Sequence, residues 1–313
     1  MKNLRVLVWS GVVVGAVLAG SAAVGVYAGE MALHPGRRAL GPKQEALASE
    51  IAARNHAELK EVAITAADGA VLRGWSIRAT GGNGDAVILL HGHTDNRAGM
   101  LGYADLLLRH GYSVLLPDAR AHGMSGGESA TYGVKESDDI RRWFEWVRQT
   151  EAPRCIDGLG ESMGAAELLE SLKDEPGFCA VVAESSFASF REVSYDRMGQ
   201  KVGAGDLVGR TLFLPGVEAG LLYVRGRYGV NLEQDSPEDA VAASKVPVLL
   251  IHGREDRNVP VRHAEMIVAH CRGRSPALGL WEPADAGHTG AAKAEPEEFE
   301  RRVVGWFQQH DHR

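Results

Sequence analysis

The five residues 160–164 read G-E-S-M-G and constrain the fold more than any other part of the chain. Residues 154–159 before them are short and partly apolar, as in a strand, and residues 165–172 after them are good helix formers. A turn from strand to helix this short strains the serine backbone and excludes side chains beside it. We predict that Ser162 is a nucleophile at the end of a sheet, although a plain glycine-rich turn shares this pattern.

A serine hydroxyl needs a base beside it, and the base needs an acid that fixes its tautomer. The apolar run 246–252 predicts a buried strand, and acidic residues follow in the turn 254–260. We predict that Asp256 is the acid. Glu255 is the competitor, and its side chain should point the other way. The alternative for Asp256 is a cap on the helix that begins near Pro260.

The base is expected on a loop after the last strand, which we predict at Leu278–Trp281. The chain has 12 histidines, so residue type alone selects none of them. His288 follows that strand, and Gly287 before it allows the backbone to turn. We therefore predict that His288 is the base.

An oxyanion hole requires two backbone N–H groups near the nucleophile. We predict that Met163, directly after the serine, supplies one N–H, and that His93 supplies the other from the loop that follows the apolar strand 85–90. Alternatively, His91 and His93 are loop histidines bound to backbone, or part of a zinc site. No further ligand has suitable spacing, so we expect no metal and no cofactor.

The rest of the chain alternates strands and helices after an initial hairpin around Asp68-Gly69. This pattern predicts an α/β fold with a mostly parallel central sheet and helices on both faces. The regularity stops at residues 186–244, which are rich in apolar residues and glycine. We predict that this insertion is a helical cap whose inner face lines the substrate pocket, within a domain that spans residues 59–313.

Five segments of the chain resemble the α/β-hydrolase superfamily, and within it the bacterial serine hydrolases near the monoacylglycerol-lipase-like and S9/S33 peptidase-like members. They are HGHTDNR at 91–97, LLPDARAHGMSGG at 115–127, GLGESMGAAE at 158–167, VPVLLIHGREDRNVP at 246–260 and DAGH at 285–288. The resemblance spans roughly residues 60–310 and implies an α/β-hydrolase fold with a Ser-Asp-His triad. Ala121 stands where many relatives carry glycine in a structural segment.

The N-terminal segment differs from the rest of the chain in its long run without charged residues. Residues 6–29 form an uncharged, mainly apolar run that would be about 36 Å long as a helix, enough to cross a bilayer. We predict that residues 1–29 are a transmembrane anchor, with a cleaved signal peptide ending near residues 26–28 as the alternative. Residues 30–58 would connect this segment to a catalytic domain outside the cytoplasm.

The charge of the chain argues against one class of partner, and its cysteine count gives no sign of a disulfide framework. The net charge of −7 and the sequence pI of about 6.0 argue against nucleic-acid binding. Cys155, Cys179 and Cys271 are an odd number, and we expect buried free thiols because the first two fall at predicted strand starts.

These features predict a serine hydrolase that cleaves carboxylic esters or related small acyl compounds through an acyl-enzyme, in the manner of a carboxylesterase or lipase. A peptidase or an acyltransferase with the same acyl-enzyme is an alternative, and Glu184 or Arg191 could hold the terminus of a peptide substrate. A membrane-tethered binding module without catalytic activity is the second alternative.

Overall fold

The structure, a computed structural model, describes residues 2–175, 177–273 and 277–311, without the side chains of residues 2–14, 17 and 18. The chain forms two compact units. We call Met1–His34 with Phe190–Gln234 the helical unit, and Pro35–Ser189 with Asp235–Arg313 the sheet unit.

The sheet unit is built on one eight-stranded sheet with the order β1-β2-β4-β3-β5-β6-β7-β8. The first two strands pair antiparallel, β2 pairs antiparallel with β4, and the other pairs are parallel. This sheet confirms the predicted α/β fold. The strands are β1 (Ala57–Thr65), β2 (Val71–Ala79), β3 (Ala86–Leu90), β4 (Ser113–Pro117), β5 (Ile156–Glu161), β6 (Val181–Glu184), β7 (Val248–Ile251) and β8 (Leu278–Trp281).

Twelve helices are found in the described residues, and a 3₁₀ turn at Arg97–Met100 precedes the third of them. They are α1 (Lys2–Leu33), α2 (Pro42–Arg54), α3 (Leu101–Arg109), α4 (Glu136–Thr150), α5 (Met163–Ser171), α6 (Phe190–Gln200), α7 (Asp206–Thr211), α8 (Leu214–Tyr228), α9 (Pro237–Ala243), α10 (Arg262–His270), α11 (Ala291–Ala294) and α12 (Pro296–His310).

Two hydrophobic cores form, one on each face of the sheet, because successive strand side chains point to opposite faces. In β3, Val87 and Leu89 join the core that contains α2, α3 and α12. Ile88 and Leu90 join the other core, with α4, α5 and α10. Strands buried on both faces must be apolar throughout, which is why β3 reads as a continuous apolar run instead of an alternating one.

The helical unit contains α1 together with α6, α7 and α8 from the insertion at 186–244. Glycines let α1 and α8 approach closely: a Cβ at Gly25 would lie 1.8 Å from the carbonyl oxygen of Gly216. The hydroxyls of Tyr223 and Tyr228 both donate to Glu30, at 2.6 and 2.7 Å. The action of this insertion as a cap stays a prediction.

Among the residues that the structure describes, we find no helix whose length and apolar composition would let it cross a membrane. The membrane-spanning or signal segment that we predicted over residues 1–29 is therefore not supported. Met1 and the side chains of residues 2–14, 17 and 18 within that segment lie outside the described part of the chain.

The expectation that Cys155 and Cys179 are free thiols is wrong, because a disulfide joins them with Cα atoms 5.9 Å apart. Cys155 directly precedes β5 and Cys179 lies just before β6, so the pairing of these neighbouring strands brings the two residues together. The backbone N–H of Cys179 donates to Ile156 at 2.9 Å and fixes this register. Cys271 is a buried free cysteine.

Candidate active site

Ser162 lies between β5 and α5 on a backbone with a positive φ of 52°, a conformation that non-glycine residues rarely adopt. The flanking glycines are required by close contacts. A Cβ at Gly160 would lie 2.5 Å from the carbonyl oxygen of Gly164, and a Cβ at Gly164 would lie 2.5 Å from that of Leu90. The predicted strand-turn-helix is therefore present, and it lifts the Ser162 hydroxyl from the carboxyl edge of the sheet.

The three residues that we predicted as nucleophile, base and acid form a chain of hydrogen bonds. The Nε2 atom of His288 lies 2.8 Å from the Ser162 Oγ atom. The His288 Nδ1 atom lies 2.7 Å from Oδ2 of Asp256. The carboxylate partner requires an Nδ1–H tautomer, which leaves the Nε2 lone pair facing the serine hydroxyl.

Asp256 is buried and held as a carboxylate. Its Oδ1 atom accepts the backbone N–H groups of Asn258 and Val259 at 2.8 and 2.9 Å. Burial alone would raise the pKa of this carboxyl, but hydrogen bonds from His252 and His288 outweigh burial and hold the pKa well below its usual range. Glu255 is exposed, so the structure brings Asp256, and not its neighbour, to the histidine.

The loop that carries His288 is fixed by groups from neighbouring strands. The hydroxyl oxygen of Ser185, at the end of β6, accepts the backbone N–H of Thr289 at 3.1 Å. Gly253, after β7, has no room for a side chain, because a Cβ there would lie 2.2 Å from the carbonyl oxygen of Ala286. The loop 285–289 therefore lies directly against the turn that carries Asp256.

The loop after β3 lies beside the nucleophile, since a Cβ at Gly92 would be only 3.4 Å from the Ser162 Cβ. His91 is buried, with Nδ1 at 2.8 Å from the Gly92 oxygen and Nε2 accepting the Ala119 N–H at 3.0 Å. The ring of His93 stacks on Tyr132. In the described residues, no group of three or more His, Cys, Asp or Glu could hold a metal ion.

Met163 is the first residue of α5, buried directly after the serine. The first N–H groups of a helix have no acceptor within the helix. His93 lies on the loop after β3, and Met163 lies at the start of α5. Both segments are next to Ser162. Their action as an oxyanion hole remains a prediction.

The sequence interpretation missed Tyr103 and Glu161. The Tyr103 hydroxyl, from α3, lies 3.3 Å from Oε2 of Glu161 and 3.0 Å from Oε2 of Glu184. Burial, with the nearby Glu184 charge, raises the pKa of Glu161 to about 7. An acidic residue inside an otherwise apolar strand end was the available signal for Glu161. No sequence signal joined Tyr103 to it.

The two residues proposed as anchors for a peptide terminus have other partners. Glu184 is 1% exposed and accepts hydrogen bonds from Tyr103 and from the backbone of Ala291. Arg191 forms ion pairs with Glu218 and Glu233. Both side chains are therefore bonded to other groups of the protein, and neither supports the peptidase alternative.

Two family models match parts of the chain. The serine aminopeptidase S33 model matches residues 83–204, and the prolyl oligopeptidase family model matches residues 229–312. Among curated proteins, the chain is 30% identical to the uncharacterized protein YqkD of Bacillus subtilis over 60% of this chain, and 27% identical to the uncharacterized protein YfhR of Escherichia coli over 66%. The matched regions span 61% and 66% of those two relatives.

Solved structures with the same fold include both esterases and peptidases. The Pyrococcus furiosus esterase Pf2001 superposes with a TM-score of 0.69 and 27% identity, covering 88% of this chain and 99% of that one. The Pyrococcus horikoshii acylaminoacyl peptidase superposes with a TM-score of 0.61 at 17% identity, over 81% of this chain but only 42% of the peptidase chain. The peptidase likeness therefore supports the fold alone.

Proposed function

We propose that this protein, an α/β-hydrolase of the serine hydrolase class, cleaves carboxylic esters of small molecules through an acyl-enzyme on Ser162. The observation that carries the proposal is the continuous hydrogen-bonded chain from Asp256 through His288 to Ser162. The esterase Pf2001 supports the ester class, since its whole chain is matched at 27% identity.

The reaction begins when the Ser162 oxygen attacks the acyl carbon and His288 Nε2 takes the hydroxyl proton. Asp256 stabilises the imidazolium that forms, because its carboxylate is already hydrogen-bonded to Nδ1. The backbone N–H groups of His93 and Met163 stabilise the oxyanion of the tetrahedral intermediate. His288 then gives its proton to the leaving alkoxide, and the ester becomes an alcohol and an acyl-enzyme.

Water completes the cycle. His288 takes a proton from the water as its oxygen attacks the acyl carbon, and then returns a proton to the Ser162 oxygen as the acid leaves. The nucleophile, the base, the acid and the oxyanion donors proposed for these steps are all residues of this chain. The expected products are one carboxylic acid and one alcohol per ester.

Peptide cleavage is the second candidate function, because both matching family models describe peptidases. An aminopeptidase must bind the substrate ammonium group with a carboxylate. Glu184, the carboxylate first considered for that role, is buried and bonded elsewhere. The ester proposal therefore takes precedence, and substrate comparison separates the two.

The test compares the full-length protein with Ser162→Ala, using a fluorophosphonate probe and then two substrate panels. We expect labelling of the wild type that disappears in the variant, turnover of p-nitrophenyl esters, and little turnover of aminoacyl p-nitroanilides. Faster cleavage of the anilides would overturn the ester assignment and favour the peptidase. A folded wild type that resists labelling would overturn both and favour a non-catalytic binding module.

We also propose that the sheet unit works outside the cytoplasm. The support is the Cys155–Cys179 disulfide, since such bonds persist mainly in oxidising compartments. Alkylation of protein quenched directly from cells should modify one thiol before reduction and all three afterwards. Three modified thiols without reduction would contradict this location.

A further inference from the structure

A partly buried bridge connects the loops on either side of the nucleophile. Its centre is the Tyr103 hydroxyl, within hydrogen-bond distance of Oε2 of both Glu161 and Glu184. A phenol carries one proton and can donate it to one carboxylate at a time. The second carboxyl can bond to the same oxygen only by donating a proton of its own.

The outer ends of the bridge hold the two functional loops. Glu161 takes a backbone hydrogen bond from Gly92, next to the proposed oxyanion donor His93. Glu184 accepts the backbone N–H of Ala291 at 2.9 Å, three residues after His288. The loop 91–93, the turn at Ser162 and the loop after β8 are therefore joined through three side chains.

The charges around the bridge determine where a proton resides. Glu161 faces Glu184 and Asp95, which are both acidic, and burial and these charges raise its pKa to about 7. Glu184 is more deeply buried, and its pKa is also raised, although His288 and His252 oppose the rise. Burial and the two carboxylates raise the pKa of Tyr103 well above its usual value, so the phenol keeps its proton.

One arrangement satisfies every polar group of the bridge. Protonated Glu161 donates to the Tyr103 oxygen, and Tyr103 donates to the Glu184 carboxylate over the shorter of the two distances, 3.0 Å. If the Glu161 proton leaves to water, two negative carboxylates compete for one phenol proton. Their repulsion then acts on the loops that hold Gly92 and Ala291.

We propose that Glu161, Tyr103 and Glu184 are positioning residues that share one carboxyl proton and hold the oxyanion loop and the histidine loop in the reactive arrangement. The proposal rests on the proposed function of Ser162. None of the three residues is assigned a contact with substrate. Activity should therefore fall at the pH where the shared proton is lost, although the triad itself is intact.

The decisive variant is Glu161→Gln. Its amide oxygen can accept the Gly92 N–H and its amide N–H can donate to the Tyr103 oxygen, so it imitates the protonated glutamate at every pH. We expect kcat/KM of the wild type for a soluble p-nitrophenyl ester to fall on the alkaline side of neutrality. In Glu161→Gln this alkaline decline should move up by at least about one pH unit, whereas the acidic limb should stay in place.

Tyr103→Phe tests the bridge itself, because it removes the hydroxyl and little volume. We expect kcat to fall by roughly ten- to a hundredfold with a smaller change in KM, as for a misplaced catalytic group. The matched control is Glu170→Gln on α5, a buried glutamate that also has a raised pKa and whose charged neighbours include Glu136 and Lys173. Its pH profile should coincide with that of the wild type.

The two proposals fail in different ways. A wild type without fluorophosphonate labelling refutes the proposed function. A labelled wild type whose pH profile is unchanged in Glu161→Gln refutes the positioning bridge. If the variant does not fold, infrared titration of the wild type beside Tyr103→Phe still decides, since a protonated carboxylic acid band that disappears near neutral pH must shift when the phenol is removed. Persistence of every such band from pH 6 to 8 would overturn the inference.

Discussion

The two ends of strands β5 and β6 have opposite characters. At their amino ends, a disulfide joins Cys155 to Cys179 and fixes the two strands to each other. At their carboxyl ends, Ser162 and Ser185 have positive φ values of 52° and 55°, and partly buried Glu161 lies near buried Glu184. One end of the same strand pair is cross-linked, and the other has strained backbone and two neighbouring acidic side chains.

This difference shows how the sheet supports a reactive site. Unusual backbone angles and neighbouring acidic groups away from water each reduce stability, and they persist only where the surrounding structure enforces them. We expect the enforcement to come from parallel strand pairing and from the covalent link at the opposite end. The following predictions test whether function is confined to one end of these strands and stabilisation to the other.

The largest effect is expected for Asp256→Asn. The asparagine oxygen can still accept the backbone bonds from Asn258 and Val259, but its amide group would face His288 Nδ1 and favour the wrong tautomer. We expect kcat/KM to fall by about 10⁴-fold, as for the equivalent loss in other triads. Ester turnover, together with a thermal melt that shows a folded variant, measures this effect.

Glu255→Gln is the matched control for that substitution, since Glu255 is exposed and adjacent in sequence. Its turnover should lie within about twofold of the wild type. If Glu255→Gln lost more activity than Asp256→Asn, the acid of the site would have to be reassigned.

Reduction of the Cys155–Cys179 bond should act on stability and leave the chemistry intact. The bond closes a loop of 24 residues, and the chain-entropy relation gives a loss of about 3 kcal/mol in the free energy of unfolding. Urea denaturation with and without a reductant measures the loss. The Cys155→Ser/Cys179→Ser double variant should not respond to the reductant. A large loss of kcat at low denaturant would contradict the separation between the two ends.

Glu161→Gln should change how stability depends on pH. The folded pKa of Glu161, about 7, lies above the ordinary value of 4.5. The contribution of Glu161 to stability is therefore fully present below pH 4.5 and is lost as pH rises through 7. Between these values the wild type should lose roughly 2–3 kcal/mol relative to the variant. Denaturation curves at pH 4.5 and pH 8 measure this difference, and parallel pH dependence of the two proteins would contradict it.

The smallest effect is expected for Ser185→Ala. This change removes the acceptor for the Thr289 N–H and leaves the side chain of His288 unchanged. We expect about a tenfold loss of kcat with a smaller change in KM, and about 1 kcal/mol of stability. Steady-state kinetics at several ester concentrations separate kcat from KM. A change in KM alone would mean that the hydroxyl does not position the histidine loop.

Much of the sheet could be predicted from the sequence, because strand and helix signals are local. The strand Leu278–Trp281 has the predicted bounds, and the hairpin around Asp68-Gly69 forms between β1 and β2. The sequence also singled out the three residues that the structure joins by hydrogen bonds, since each follows a strand end and their order along the chain is informative, and their catalytic roles stay a prediction. The disulfide was misjudged, because pairing of cysteines depends on which elements become neighbours. The membrane segment stays without support in the described residues.

The sequence by itself determined which residue types end each strand, and therefore that Ser162, Asp256 and His288 share the carboxyl edge of one sheet. Only the tertiary structure decided that Tyr103 bridges Glu161 and Glu184, which lie 58 and 81 positions away along the chain. The physical reason is the distance along the chain over which each kind of interaction acts. Periodicity and turn chemistry act over a few residues, whereas strand order and helix packing bring distant side chains within hydrogen-bond distance.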